Sequence, residues 1–396
     1  MNTETVLLLG AGQAGMRFLR ACMHLIEEED WEAELHILES NQERATQICQ
    51  ELAMPVYLSL DEVCSRGIIP TSAIVTVPEG GHAAVLLELA ARFPQLQKVI
   101  CEKPLTISLS EALSVQKAFV GRELYVNFVE RYSPAVTRLK EFMRQNHRSV
   151  LRGSCWWGKY RIKDARPTAG VVSVELAHPV DLMLYLAEIA NDDAIVAGIA
   201  ATASNISTGR DTGSVQLDTI QASIEFLHGP HFFLSTSLLW PARNRRLELI
   251  LGDTEGMASE LVSLRFDDPT WDCDLLEIFD IRAVGGRPEL RLRLQVDERC
   301  WPSRRFTIGK VCDFLQDVLI FRGKTLRAPD VKQSILLQRI LDEIESTAAS
   351  CAVSAPIFLE PAIQDSNSIH PKLQSLKAIK NQLPEAGGLS MWDKNY

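Results

Sequence analysis

Close to its N-terminus the chain reads Gly10-Ala11-Gly12-Gln13-Ala14-Gly15, directly after the apolar run Val6–Leu9 and directly before a helix-like pattern. Few features restrict a fold as much. A strand that ends in spaced glycines and feeds a helix is the opening of a β-α-β unit that receives a dinucleotide. The three glycines play different parts. Gly10 allows the tight turn, Gly12 lets backbone approach a pyrophosphate, and Gly15 lets helix and strand pack closely. Gln13 and Ala14 fall where the helix presents unpaired N–H groups and a positive dipole end to phosphates. Gly10, Gly12, Gln13, Ala14 and Gly15 are therefore expected to bind cofactor.

The alternation of short apolar runs with helical stretches continues. Strands are predicted at Val6–Leu9, Leu35–Leu38, Ala73–Val77, Lys98–Cys101 and Leu124–Phe128, the signature of a doubly wound parallel sheet over residues 1–125. Ser108 followed by Glu111 reads as a capping box that opens a helix through Phe119. Glu39 ends the second strand, where an acid reaches the adenosine ribose hydroxyls and repels a 2′-phosphate, so NAD is expected ahead of NADP. Ser40, with Arg44 one turn on, is the arrangement that would instead admit the phosphate of NADP. Thr76-Val77-Pro78-Glu79-Gly80-Gly81-His82 closes the next strand, at the end of a parallel sheet where ligands approach backbone. Thr76, Pro78 and His82 join the cofactor-site candidates, although an ordinary turn with a structural His82 reads equally well.

From about Ser149 the pattern changes to closely spaced strand-like runs: Val150–Trp157, Ile195–Ala203, Ile220–Leu227, Phe232–Leu238, Leu247–Leu251 and Leu290–Leu294. Turn residues such as His228-Gly229-Pro230 between them indicate antiparallel pairing. Helices are predicted at Val174–Leu186, Ile308–Phe321 and Pro329–Ala348. The expected fold class is α/β: an N-terminal Rossmann sheet, then an α+β domain over residues 126–355 with a large, mostly antiparallel open sheet. Residues 356–396 are polar and aperiodic and read as a tail.

Composition narrows the function. A formal net charge of −10 offers no basic excess for nucleic acid. The 9 cysteines form no Cys-x-x-Cys pair and do not cluster with histidine, so reduced thiols are expected and no metal site. No apolar run approaches the ~18 residues of a membrane span, and the first residues lack a signal-peptide core, so no membrane association and a cytoplasmic location are expected.

Cys101-Glu102-Lys103-Pro104 ends the fourth predicted strand. Pro104 stops the ladder and keeps Lys103 extended or in a turn at the mouth of the sheet. There its amine can stabilise charge developing on a substrate oxygen. With the glycine turn, the Thr-Val-Pro-x-x-x-His turn and Val126-Asn127-Phe128-Val129-Glu130-Arg131-Tyr132-x-Pro134, this motif gives residues 1–190 a clear resemblance to the glucose–fructose oxidoreductase/inositol dehydrogenase (Gfo/Idh/MocA) family. The resemblance implies nicotinamide-dependent interconversion of a secondary alcohol and a ketone on a carbohydrate-like small molecule: a sugar, cyclitol or nucleotide sugar. It also implies a second domain whose open sheet mediates homodimer or homotetramer contacts.

The resemblance places a catalytic histidine in the helix Glu175-Leu176-Ala177-His178-Pro179-Val180-Asp181. Histidine titrates near neutrality and suits proton transfer to a hydroxyl. Residues three apart share a helix face, so Glu175, His178 and Asp181 are expected to point one way, with Asp181 tuning His178. Many family members carry an aspartate four residues before that histidine, where this chain has Val174. Lys103, His178 and Asp181 form the expected catalytic set, with Glu102 and Lys103 also beside the cofactor. Trp157, Lys159 and Arg161, with Glu175, are candidates for the substrate cleft. Two other readings fit the same architecture: a reductase of imines or related double bonds, and a dinucleotide-binding regulator without turnover.

Overall fold

The structure, a computed structural model, describes residues 3–28, 31–159, 170–190, 193–204, 215–227, 229–282, 286–302, 305–320 and 327–354. The predicted tail at 356–396 and the cleft candidate Arg161 lie outside these residues.

Among the described residues, β1 (Glu4–Leu9), β2 (Ala33–Leu38), β3 (Val56–Tyr57), β4 (Ser72–Val75), β5 (Lys98–Glu102) and β6 (Glu123–Asn127) form one parallel sheet. Their order is β3-β2-β1-β4-β5-β6. The middle strands are covered on both faces, which is why β1, β4 and β5 read as apolar runs rather than alternations. Helices α1 (Gln13–Glu28), α2 (Gln42–Leu52), α3 (Leu60–Ser65), α4 (His82–Arg92) and α5 (Leu109–Ala118) connect the strands. Side-chain caps start several of them: Asn41 accepts the Arg44 N–H at 2.9 Å before α2, and Ser108 accepts the Glu111 N–H at 3.3 Å before α5. Strand order reverses between β1 and β4, and the crevice at their carboxyl ends is where an open α/β sheet receives a ligand. The predicted third run, Ala73–Val77, pairs as Ser72–Val75; Val77 lies in the turn that Pro78 enforces.

The second sheet contains β7 (Ser149–Gly158), β8 (Ala194–Ser204), β9 (Gln216–Phe226), β10 (His231–Ser237), β11 (Asn244–Gly252), β12 (Ala258–Arg265), β13 (Asp274–Asp280), β14 (Glu289–Val296) and β15 (Val353–Ser354). Their order is β14-β13-β12-β11-β7-β10-β9-β8-β15, antiparallel except for the β7/β10 and β8/β15 pairs. Strands β12 and β13 are absent from the sequence-based expectation. In β7 the alternation sends Cys155 and Trp157 inward while Trp156 faces out.

Helices α6 (Pro134–Gln145), α7 (Ala177–Leu186), α8 (Gly309–Leu315) and α9 (Val331–Cys351) complete the fold. The last two return to the first sheet. Phe314 of α8 meets Phe18 of α1 edge-on at 6.4 Å, and the N–H of Leu109 donates to Asp342 of α9 at 2.6 Å. Val126 of β6 donates to the carbonyl of Pro329 at 3.2 Å, just ahead of α9. One apolar core therefore runs from the parallel sheet through α7 and α9 to the inner face of the second sheet.

Candidate active site

The glycine turn after β1 has the geometry its sequence requires. Gly10 sits at φ +90°, a left-handed conformation, and a Cβ there would meet the Thr76 backbone at 3.0 Å. A Cβ on Gly15 would lie 2.0 Å from the Gly10 carbonyl oxygen. Gly12 differs: the nearest atom to a Cβ there is the tip of Arg44, at 3.8 Å. Packing within the protein thus demands glycine at 10 and 15 but not at 12. What Gly12 leaves open is a cradle at the N-terminus of α1, where Gln13 and Ala14 begin the helix. This is the space a dinucleotide pyrophosphate fits.

Around the cradle, the expected cofactor residues tie the loops together. Glu39 is buried, and its two carboxylate oxygens accept the N–H groups of Ala11 at 3.0 Å and Asn41 at 2.9 Å. It thereby fixes the glycine turn, beside an exposed Ser40. The Thr76 hydroxyl donates to the Gly10 carbonyl at 2.6 Å. His82, at the start of α4 after Pro78, directs Nδ1 to the Pro104 carbonyl at 2.7 Å and Nε2 to the Val77 carbonyl at 2.9 Å. Both ring nitrogens of His82 therefore face main chain, and it clamps two turns of the crevice rather than offering a nitrogen to a cofactor. Glu102 accepts the Lys103 N–H at 3.1 Å and the Asn127 amide at 2.8 Å, holding the ends of β5 and β6 level.

Lys103 stands at the carboxyl end of β5, and its amine donates to the carbonyl of Val174 at 2.9 Å. That carbonyl belongs to a π-helical turn, Val172–Leu176, which precedes α7. The turn follows from Pro179, which cannot donate to the carbonyl four residues back and so relaxes the helix there. In π register the Val174 carbonyl would pair with the N–H of residue 179, which proline lacks, and the lysine takes its place. An amine from the parallel sheet thus reaches the turn that leads into His178.

His178, on the first turn of α7, is buried against aromatic walls. Trp157 stacks on its ring at 5.9 Å and Phe128 meets it edge-on at 6.1 Å. Its Nδ1 lies 2.9 Å from the Glu130 carboxylate. Burial lowers the proton affinity of His178 below the ordinary histidine value; Glu130 opposes that effect and the Lys103 charge adds to it. Burial would push the Glu130 carboxyl up, but His178, Arg245 and Lys310 outweigh it and hold the group well below the usual carboxylate range. With the imidazole neutral at pH 7 its charge no longer acts, and its hydrogen bond together with the Arg245 and Lys310 charges is what keeps the Glu130 carboxylate ionised.

Asp181 makes no hydrogen bond to His178 among the described residues, although the two groups interact electrostatically. It forms a bidentate pair with Arg131, at 2.8 and 2.6 Å, both groups buried. Orientation of the ring by Asp181 gives way to a different arrangement: successive residues Glu130 and Arg131, in the 3₁₀ turn after β6, hold His178 and Asp181 on successive turns of α7, and Asp181 is left with an electrostatic influence on His178. Glu175 is fully buried with Lys159 at 3.4 Å. Trp157, expected in the cleft, is fully buried, so it backs the imidazole instead of offering an exposed face to a sugar.

Two contributors escape the sequence reading. Glu130 enters it only as part of a motif, and Arg245 on β11 does not enter it at all. Arg245 donates to Glu130 at 3.4 Å and to Asp267 at 2.6 Å, and its guanidinium lies over the Trp157 ring at 5.2 Å. Lys310 at the start of α8 bridges Asp267 at 3.1 Å and Asp274 at 3.0 Å. No signal in the sequence marks these as site residues, because every partner is distant along the chain. Among the described residues, no cluster of histidine, cysteine and acids could hold a metal, and no helix is long and apolar enough to cross a membrane.

Comparison with known proteins agrees with the fold. Residues 5–128 match the profile of the Gfo/Idh/MocA family, described as an oxidoreductase family with an NAD-binding Rossmann fold. Inositol 2-dehydrogenase from Mycolicibacterium gilvum (strain PYR-GCK) is 28% identical over 157 residues, covering 38% of this chain and 42% of its own length, so the match spans less than half of that relative. Levoglucosan dehydrogenase in complex with NADH superposes with a TM-score of 0.69 at 16% identity, over 89% of this chain and 98% of its own. The super-repressor mutant of Gal80p from Saccharomyces cerevisiae superposes with a TM-score of 0.67 at 14% identity, over 89% and 97%. At such identities the two structures share the fold. Residues 5–128 thus match the model of the Gfo/Idh/MocA oxidoreductase family and carry the NAD-binding Rossmann fold it describes.

Proposed function

We propose that the protein is a nicotinamide-dependent oxidoreductase that interconverts a secondary alcohol and a ketone on a sugar, cyclitol or nucleotide sugar. One observation carries the reading: the Lys103 amine, on the rim of the NAD-binding sheet, bonds to the turn that delivers His178. A dinucleotide held by its pyrophosphate at the glycine turn would supply hydride transfer through its nicotinamide. Gly10, Gly12, Gly15, the first N–H groups of α1 and the Glu39-braced loop would hold the dinucleotide.

The chain's own residues handle the proton. His178, neutral with Nδ1 engaged by Glu130, presents Nε2 to take the hydroxyl proton in oxidation and to return it in reduction. Lys103 would polarise and place the substrate oxygen. The buried walls of Trp157 and Phe128 keep water from the imidazole and hold its plane. The inositol and levoglucosan dehydrogenases among the similar proteins support a polyol or sugar substrate class. The resemblance to Gal80p supports a second reading, a dinucleotide-binding regulator.

Lys103→Ala tests the first reading. It removes a charge that touches substrate but not the glycine cradle, so kcat/KM is expected to fall by about 10²–10³-fold, the scale of losing one preorganised donor. NAD affinity, read by calorimetry, should hold. Full activity in this variant would contradict the assignment. Glu39→Ala separately tests cofactor choice. It releases the Ala11 and Asn41 N–H groups and removes the charge facing a 2′-phosphate, so NAD affinity should fall and the NAD/NADP preference should narrow. An unchanged preference would show that Glu39 only braces the turn.

A further inference from the structure

We propose that Glu130 is the positioning residue of this site: it fixes the tautomer of His178, and Arg245 in turn fixes Glu130. The proposal rests on the reading of His178 as acid/base and gives that reading its orientation.

Imidazole has two ring nitrogens, and in the neutral form one carries a proton while the other is a lone-pair base. Glu130 is fully enclosed, and its Oε2 lies 2.9 Å from Nδ1. A carboxylate only accepts, so the proton must sit on Nδ1. Nε2 makes no hydrogen bond among the described residues and keeps its lone pair for a hydroxyl proton. If the tautomer were reversed, Nδ1 would set a lone pair against a carboxylate and Nε2 would be unable to act as a base.

Beside the hydrogen bond to His178, buried cations hold Glu130 ionised, Arg245 first and Lys310 behind it. The second oxygen, Oε1, faces the Arg245 guanidinium at 3.4 Å. Arg245 is buried, anchored by Asp267 at 2.6 Å, and Asp267 is anchored by Lys310. The same guanidinium lies over Trp157, whose ring stacks on His178. Arg245 therefore reaches the imidazole by two routes: through the carboxylate bound to its nitrogen and through the indole that holds its plane. The charged groups facing His178 come from several elements: Lys103 from the turn after β5, Glu130 from the turn after β6, Arg245 from β11, and Asp181 from its own helix. Of these, Glu130 is the one hydrogen-bonded to the ring.

A merely structural Glu130 and an orienting one differ in a readout that needs no substrate. Full-length protein with isotope-labelled histidine would be titrated by NMR with and without NAD, and the His178 signals identified by their absence in His178→Ala. In the native protein the δ-protonated neutral tautomer is expected, with a titration midpoint below the ordinary value of about 6.5. Glu130→Gln offers an amide that can donate as well as accept. The ε-protonated form should then become populated and the midpoint should fall further, because a carboxylate that favoured the cation is gone. Glu130→Asp, which keeps the charge, should retain the δ-protonated form. On a substrate, Glu130→Gln should lose about 10²–10⁴-fold in kcat with KM little changed, as expected when a general base is in the wrong tautomer.

Glu130→Gln with native tautomer and midpoint would overturn the proposal. If Glu130→Gln fails to fold, Arg245→Lys carries the test, with a shifted midpoint expected and an unchanged one counting against it. Full turnover in His178→Ala would instead remove the acid/base reading, and the NMR result would show separately whether Glu130 still orders the ring.

Discussion

His178→Ala is expected to lower kcat by about 10²–10⁴-fold while NAD affinity stays close to that of the native protein. The size follows from the proposal that His178 takes and returns the hydroxyl proton. The selectivity follows from position: His178 lies on α7, bound to Glu130 and walled by Trp157 and Phe128, whereas the cofactor cradle is built from the turns after β1, β2 and β4. Glu130 keeps Arg245 as a partner in the variant, so no buried charge is left alone. The pH dependence has a definite sign. Burial and the Lys103 charge lower the proton affinity of His178, so the base form is present at neutral pH and is lost as pH falls through a value below about 6.5. Oxidation should decline along that acid limb in the native protein, and the limb should vanish in His178→Ala. Initial rates and a kcat profile measure both, and full turnover in the variant would remove His178 from the mechanism.

The second large effect is loss of cofactor binding in Gly12→Val with the fold intact. A Cβ at Gly12 would have only the tip of Arg44 within 4 Å, at 3.8 Å, and the backbone is not left-handed there, so the branch point of a new side chain is opposed by neither packing nor strain. The methyl groups would fill the space a pyrophosphate needs. Calorimetry should detect no NAD binding, while thermal unfolding stays near that of the native protein. Gly15→Ala is the contrasting case, because its Cβ would collide with the Gly10 carbonyl oxygen at 2.0 Å and disturb the turn itself. Normal NAD affinity in Gly12→Val would mean that the cradle is not the pyrophosphate site.

The parallel sheet is legible in the sequence because its strands are buried on both faces and so stand out as apolar runs between helices. Strands β12 and β13 are not, for a physical reason. Ser259, Glu260 and Ser263 of β12 are buried, and Glu260 is paired with Arg148 at 2.7 Å. Asp274 and Asp280 bound β13 and are buried too. Polar residues turned inward against distant partners erase the alternation that marks a strand.

The site divides the same way. The glycines and the Glu-Lys-Pro turn are local signals, set by backbone conformation, and the sequence carries them. Helix periodicity brings His178 and Asp181 to one face, and they do meet one turn of chain, Glu130-Arg131. The pairing within that face is not what proximity suggests. Asp181 is close to His178 in sequence and reads as its partner, whereas the ring is held by a residue 48 positions earlier. His82 and Trp157 do lie beside the crevice and the imidazole, but what they touch there, carbonyl oxygens and a ring face, depends on tertiary packing.

We propose that this fold turns over a hydroxylated substrate rather than merely holding a dinucleotide. The most direct measurement incubates the full chain with NAD and a panel of cyclitols, sugars and nucleotide sugars, and follows the near-ultraviolet absorbance of reduced nicotinamide. At least one substrate should produce that absorbance, and Lys103→Ala and His178→Ala should suppress it. NAD binding without reduction by any member of the panel, in either direction of the reaction, would contradict the enzyme reading and favour a regulator.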